Sequence, residues 1–240
     1  MKNSIRIQRI FLYLCVSLVF FFALSSLSAQ QVVKVGGGEY LTVFLMSNGT
    51  VKVSSQETIT PILKSYPGLD SIIDVHGGQY HVTALDQQGK VYKLSNNASY
   101  VMTTVDEFGA GFTNNFQVKG FWQSNVSLRG PDSSLWYWGI ADPMNYAGGA
   151  TITAPIKLVM PAGKKFIKVE TGSVPNLSTS YILALASDGT VWKYSRGNVN
   201  PVQITIAGES IIDIATLGNN AQILLTASNK LYAAGYQSTY

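Results

Sequence analysis

His76 and His81 are the only histidines in the chain, five residues apart around Gly77-Gly78. Two imidazoles at that spacing could share a divalent metal, but such a site needs a third ligand, and none stands at motif spacing. His81 also falls at a repeated position, where a local hydrogen bond is its expected role. Serine is abundant, yet no Gly-x-Ser-x-Gly elbow occurs and no nucleophilic triad can be assembled. Asp74 and Asp213 occupy the same place in two internal repeats, so they read as structural rather than as an acid/base pair. No catalytic residue, metal or cofactor is assigned. Aromatic anchors dominate recognition surfaces, and Trp122, Tyr146 and Tyr100 stand where the repeats share no aromatic. Together with Asp142 and Asn145 they form the candidate binding set. Trp136 aligns with Tyr92, Trp192 and Tyr232, and Trp138 with Leu94 and Tyr194, so both read as packing between repeats.

The elements that would position these residues come from a unit best seen at 72–94, IIDVHGGQYHVTALDQQGKVYKL. Ile72, Ile73 and Val75 form one β-branched run, Val82 to Leu85 a second, and Val91 to Leu94 a third. Asp86-Gln87-Gln88-Gly89 is a turn in which Asp opens and Gly supplies positive φ. Related units start near Val32, Val118, Phe166 and Ile211. Equivalent residues Val35, Val75, Val118, Val169 and Ile214 are 40, 43, 51 and 45 positions apart, a period typical of solenoids and propellers. Pro61-Ile62, Pro155-Ile156 and Pro201-Val202 precede the next unit by a near-constant interval and read as fourth strands, since Pro suits a strand start or sheet edge.

The expected fold is all-β, a β-propeller of four-stranded blades with five repeats visible, at about 32–63, 72–105, 116–159, 166–206 and 211–240. In such a blade the first-to-second and third-to-fourth loops share one face. Gly172 to Ser180, Lys119 to Asn125 with Trp122, and Gly139 to Ala154 with Asp142, Asn145 and Tyr146 read as lengthened loops there. Glu107 to Asn115 projects from the other side. Loops on a rigid scaffold are where binding residues tend to sit.

Residues 1–29 read as a signal peptide: Lys2, Arg6 and Arg9 are basic, Ile10 to Leu24 is apolar, and small residues lead to Ala29. The apolar run is short for a membrane span. Three of the 17 Lys and Arg lie in this leader, leaving 14 against 13 Asp and Glu, so the near-neutral remainder gives no reason to expect nucleic acid. Cys15, the single cysteine, also lies in the leader, which excludes disulfides from the rest. The expected location is secreted or cell-surface, the periplasm included, with no membrane span after leader removal. Asn-x-Ser/Thr triplets at Asn48, Asn97, Asn125 and Asn176 are given no role.

Gly78-Gln79-Tyr80-His81-Val82-Thr83-Ala84-Leu85, followed by Asp86-x-x-Gly89-x-Val91-Tyr92, resembles the repeat of the regulator of chromosome condensation family in a secreted bacterial form. Leu135-Trp136-Tyr137-Trp138-Gly139 is similar to the aromatic-Gly ending of that repeat, and Asp188-Gly189-Thr190-Val191-Trp192 is close to its turn. The resemblance covers nearly all of the chain after the leader, although no other copy keeps the His. It implies a propeller, usually of seven blades, so five repeats describe an incomplete ring. The functions it implies are nucleotide exchange on small GTPases, chromatin binding and, in secreted bacterial forms, inhibition of β-lactamase. The leader argues against the nuclear roles.

The expected function is thus a secreted, non-catalytic binding module for a protein or cell-surface glycan, with inhibition of an extracellular enzyme as the alternative. A glycan hydrolase or lyase is the rival of another class, and it would gather His76, His81, Asp142 and Glu170 at one cleft. If the chain is complete, open blade edges offer a route to association.

Overall fold

Short runs of β-branched and aromatic residues broken every few positions by Gly, Asn or Asp favour strands joined by tight turns. The computed structural model has that form. It describes residues 30–38, 41–55, 63–66, 68–79, 81–96, 102–106, 108, 111–139, 142–172, 180–217 and 221–235. The leader, Tyr100, Pro61-Ile62 and the triplets at Asn97 and Asn176 lie outside the described residues.

Five antiparallel sheets follow one another along the chain. Sheet 1 contains β1 (Val32–Gly37), β2 (Leu41–Met46), β3 (Val51–Ser55) and β4 (Leu63–Ser65). Sheet 2 contains β5 (Ile72–Gly77), β6 (His81–Asp86), β7 (Val91–Asn96) and β8 (Met102–Asp106). Sheet 3 contains β9 (Asn115–Phe121), β10 (Ser124–Arg129), β11 (Ser134–Gly139) and β12 (Ile152–Lys157). Sheet 4 contains β13 (Phe166–Gly172), β14 (Tyr181–Ala186), β15 (Val191–Ser195) and β16 (Val202–Ile204). Sheet 5 has three strands among the described residues, β17 (Ile211–Leu217), β18 (Ala221–Thr226) and β19 (Leu231–Ala234). All five lie in one unit, Val32–Tyr240. No described residue is α-helical, and no helix among them is long and apolar enough to cross a membrane.

Each second-to-third turn closes on a left-handed residue: Gly49, Gly89, Gly189, Asn229 and, in sheet 3, Ser133 at φ 53°. Asn48 and Asp188 make the same side-chain turn, each accepting from the backbone N–H two residues on at 3.2 Å. The turn then pins the next sheet. Ile72 N–H donates to Gly49 O at 3.0 Å, Asn115 N–H to Gly89 O at 3.2 Å and Ile211 N–H to Gly189 O at 3.1 Å.

Sheets are held face to face by apolar packing. In each junction the first strand of one sheet packs on the first and second strands of the sheet before it. Val75, Val118, Val169 and Ile214 fill these junctions and are fully buried or nearly so. Three clusters result: Leu45, Val51 and Val75 belong to one, Leu85, Val118, Leu128 and Val169 to the second, Leu185, Val191 and Ile214 to the third. Strands β6 and β14, covered on both faces, are buried at every position, whereas β18 is largely half-exposed. This is the stacking of propeller blades, with the first strand of each blade innermost.

An innermost strand has an unpaired edge, and buried N–H groups there need partners. Neighbouring blades supply them. Val118 N–H donates to Asp74 Oδ2 at 3.1 Å, and Val169 N–H to Gln117 Oε1 at 2.8 Å. Ion pairs cross the same junctions: Lys34 with Asp74, Lys119 with Glu170 at 2.9 Å, and Lys168 with Asp213 at 2.5 Å. Where β1 and β5 converge the backbones nearly touch. A Cβ on Gly77 would come within 2.7 Å of Gly37 C, so only glycine fits.

Candidate functional site

Two ends of the blades can present residues to a partner. The loop end carries the first-to-second and third-to-fourth connections, and the turn end carries the second-to-third turns and the links between blades.

The loop end holds the residues singled out from sequence, but few of them face solvent. The stretch 119–125 is not a lengthened loop: β9 and β10 are joined by Trp122 and Gln123 alone. Trp122 is half-buried at φ 48°, and its carbonyl accepts from Gln79 N–H at 2.6 Å, tying blade 3 to blade 2. Asp142, expected to project from a loop, is buried. Its carboxylate accepts from Tyr137 Oη at 2.8 Å and from Ala147 N–H at 2.5 Å. Tyr146 packs edge-on against Tyr137, with ring centroids 5.4 Å apart, and its buried hydroxyl is without a hydrogen-bond partner. Burial, with Asp142 adding to it, pushes that hydroxyl's pKa far up. Among the described members of the set only Asn145 is exposed, at φ 56°. Asp142 and Tyr146 thus pack within the third-to-fourth loop of blade 3, and Trp122 ties that blade to blade 2.

His81 likewise does not bond locally. Trp138 Nε1 can only donate, so the Asn125 carbonyl accepts from it at 3.3 Å, while the Asn125 amide donates to Thr83 Oγ1 and, at 2.9 Å, to His81 Nε2. Asn125 thus joins blades 2 and 3 across 44 residues of sequence. Burial holds His81 down to about 4 and, with Lys119 and Lys34 beside it, His76 down to about 3. Both are neutral, and Gly120 N–H donates to His76 Nδ1 at 3.1 Å. Glu170 accepts from Lys119, so His76, His81, Asp142 and Glu170 each have a hydrogen-bond partner within the blades. Among the described residues no group of three or more His, Cys, Asp or Glu could hold a metal.

The turn end carries the signal that sequence reading missed. In every blade the first strand is irregular one residue in, leaving Val33, Ile73, Phe116, Ile167 and Ile212 outside the pairing register. A bulge turns a side chain out of alternation. All five are apolar and between 42 and 59% exposed. They succeed one another along the innermost strands. Outside them are paired charges: Lys164 with Asp188 at 2.5 Å, Lys157 with Asp132 at 2.9 Å and Lys230 with Glu209 at 2.7 Å. The Lys164 ammonium holds the Asp188 carboxyl down at about 2. An apolar centre inside a polar rim is the anatomy of a protein interface.

This fold is that of the RCC1-type β-propeller. The chain is similar to yeast Prp20, an RCC1 protein solved bound to Kap60, at 15% identity over 87% of this chain and 57% of that one, TM-score 0.68. It is similar to human WBSCR16 at 17% identity over 86% and 62%, TM-score 0.69. The CRINKLY WD40 ectodomain of the Arabidopsis thaliana receptor kinase ACR4 aligns at 12% identity over 88% and 66%, TM-score 0.54. The chain spans about 60% of the length of the first two. No family model and no curated relative matches the sequence.

Proposed function

We propose that the chain is a secreted or cell-surface, non-catalytic propeller that holds a partner protein against its turn end. The observation that carries this reading is the run of exposed apolar residues Val33, Ile73, Phe116, Ile167 and Ile212, one per blade, inside a rim of ion pairs. Scattered apolar residues on a surface need no explanation, but five at one structural position do. A protein partner fits better than a glycan, because sugars ask for open aromatic faces and Trp122 and Tyr146 are partly covered. Inhibition of an extracellular enzyme is one form such binding can take. Structural neighbours point the same way, since Prp20 was solved with Kap60 and studied for binding Gsp1p and histones. The leader at 1–29 supports the location.

A photo-crosslinker placed at Ile167 or Phe116 in the native host should give a discrete protein adduct, and one at Asn145 should not. Adducts from Asn145 alone would reverse the assignment. N-terminal sequencing of the exported chain should begin near Gln30.

A further inference from the structure

We propose that Asn48 is a site of spontaneous modification, closing a cyclic imide with Gly49 that opens to aspartate and isoaspartate, and that the folded turn promotes the closure. Asn48-Gly49 is the one Asn-Gly step in the chain, and glycine, lacking a Cβ, leaves the attacking nitrogen unshielded. Asn48 is exposed in the turn between β2 and β3. Asp188 is exposed at the same place in sheet 4, which packs on a sheet before it and another after it. The exposure therefore belongs to the turn, whatever flanks the blade.

Closure needs the Gly49 nitrogen to add to Asn48 Cγ, which places negative charge on Oδ1. Two donors already meet that oxygen, the Thr50 N–H at 3.2 Å and the Thr50 hydroxyl at 2.7 Å. Donors fixed where charge develops lower a barrier. The Gly49 N–H donates to Met46 O at 2.9 Å, a bond that opens as its proton leaves to hydroxide. The turn thus takes one bond from the nucleophile and gives two to the oxygen. The Cγ–Nδ2 bond then breaks, Nδ2 leaves as ammonia with a proton from water, and a further water opens the imide. Attack of that water at Cγ gives aspartate; attack at the Asn48 main-chain carbonyl gives isoaspartate, whose backbone runs through Cβ. Asp188-Gly189-Thr190 repeats the two hydrogen bonds, but Lys164 holds its carboxyl as an anion that has no ammonia to release. Aspartate at position 48 makes the first turn the equal of that one. Isoaspartate adds a backbone atom beside Gly49, whose carbonyl receives the Ile72 N–H at 3.0 Å, and so loosens blade 1 from blade 2.

Incubating the purified folded chain at mildly alkaline pH, with peptide mass and isoaspartate analysis over time, tests this. The peptide carrying Asn48 should gain the mass of an amide exchanged for a carboxyl and contain isoaspartate, and the peptide carrying Asp188 should not isomerise at a comparable rate. Thr50→Val removes one donor and should slow the conversion about fivefold, the worth of one hydrogen bond, whereas Thr50→Ser should keep the full rate. In urea, where the turn is lost, Thr50→Val and the parent should convert alike. Deuterium uptake at the Ile72 amide should rise in the isoaspartate fraction. Circular dichroism checks that each variant is folded, and Thr50→Ala replaces Thr50→Val if that variant is not. A folded chain in which Asn48 stays intact while the urea-unfolded chain converts overturns the proposal. So does a folded Thr50→Val that converts as fast as the parent, or one whose rate stays lower in urea.

Discussion

The loop end and the turn end of the blades are built from opposite materials. At the turn end the connections share a left-handed closing residue, the turn carbonyls of three blades accept the first N–H of the next sheet, and apolar side chains are left in solvent. At the loop end the connections differ from blade to blade, and polar side chains, Asn125, His81 and Asp142 among them, are drawn inside. Similar strand sequences support both. The difference teaches that regular turns hold the next blade through main-chain bonds and so leave side chains free for contact, whereas at the loop end side chains such as Asn125 do that holding.

The comparison breaks most sharply at Asn125. Asn125→Ala leaves Trp138 Nε1, Thr83 Oγ1 and His81 Nε2 buried without their partner. Each orphaned group costs on the order of 1–3 kcal/mol, so a total loss of about 3 kcal/mol is expected in urea denaturation. A loss below 1 kcal/mol, by the same arithmetic, would mean that the network holds nothing.

Acid should act at the same end. His81 and His76 stay neutral in the fold down to about 4 and about 3, while the unfolded chain takes up those protons below about 6.5. Stability is therefore full above that value, falls as pH drops towards 4, and stops falling from this cause once the folded histidines protonate. The expected loss is about 1 kcal/mol per histidine by pH 5.5, and His81→Gln should remove its half. A denaturation midpoint that stays level from neutral to pH 5 contradicts this.

At the turn end effects should be smaller and of the other sign. Ser133 adopts the left-handed conformation that glycine supplies in three other blades, so Ser133→Gly should raise the melting point, by the equivalent of about 0.5–1 kcal/mol. No gain would mean that Ser133 is held there by contacts beyond its own backbone.

Much of the architecture was legible in the chain. Val35, Val75, Val118, Val169 and Ile214 marked the innermost strands, and Asn48-Gly49-Thr50 and Asp188-Gly189-Thr190 marked the turns. The surface was not. Ile72-Ile73 and Ile211-Ile212 read as continuous apolar runs, and only the bulge shows that the second member of each faces water. Trp122 was placed in a loop because nothing in the sequence shows that two residues suffice to join β9 to β10. The partner of His81 was hidden for another reason: Asn125 lies in the next blade, and its own triplet drew attention to glycosylation instead.

The hydrogen bonds from Ile72, Asn115 and Ile211 to the turn before them cross between sheets, not within one. Deuterium uptake at those three amides therefore times the separation of whole blades, independently of melting within any sheet. The molecule carries its own reporters of whether it comes apart as one body or peels from an end.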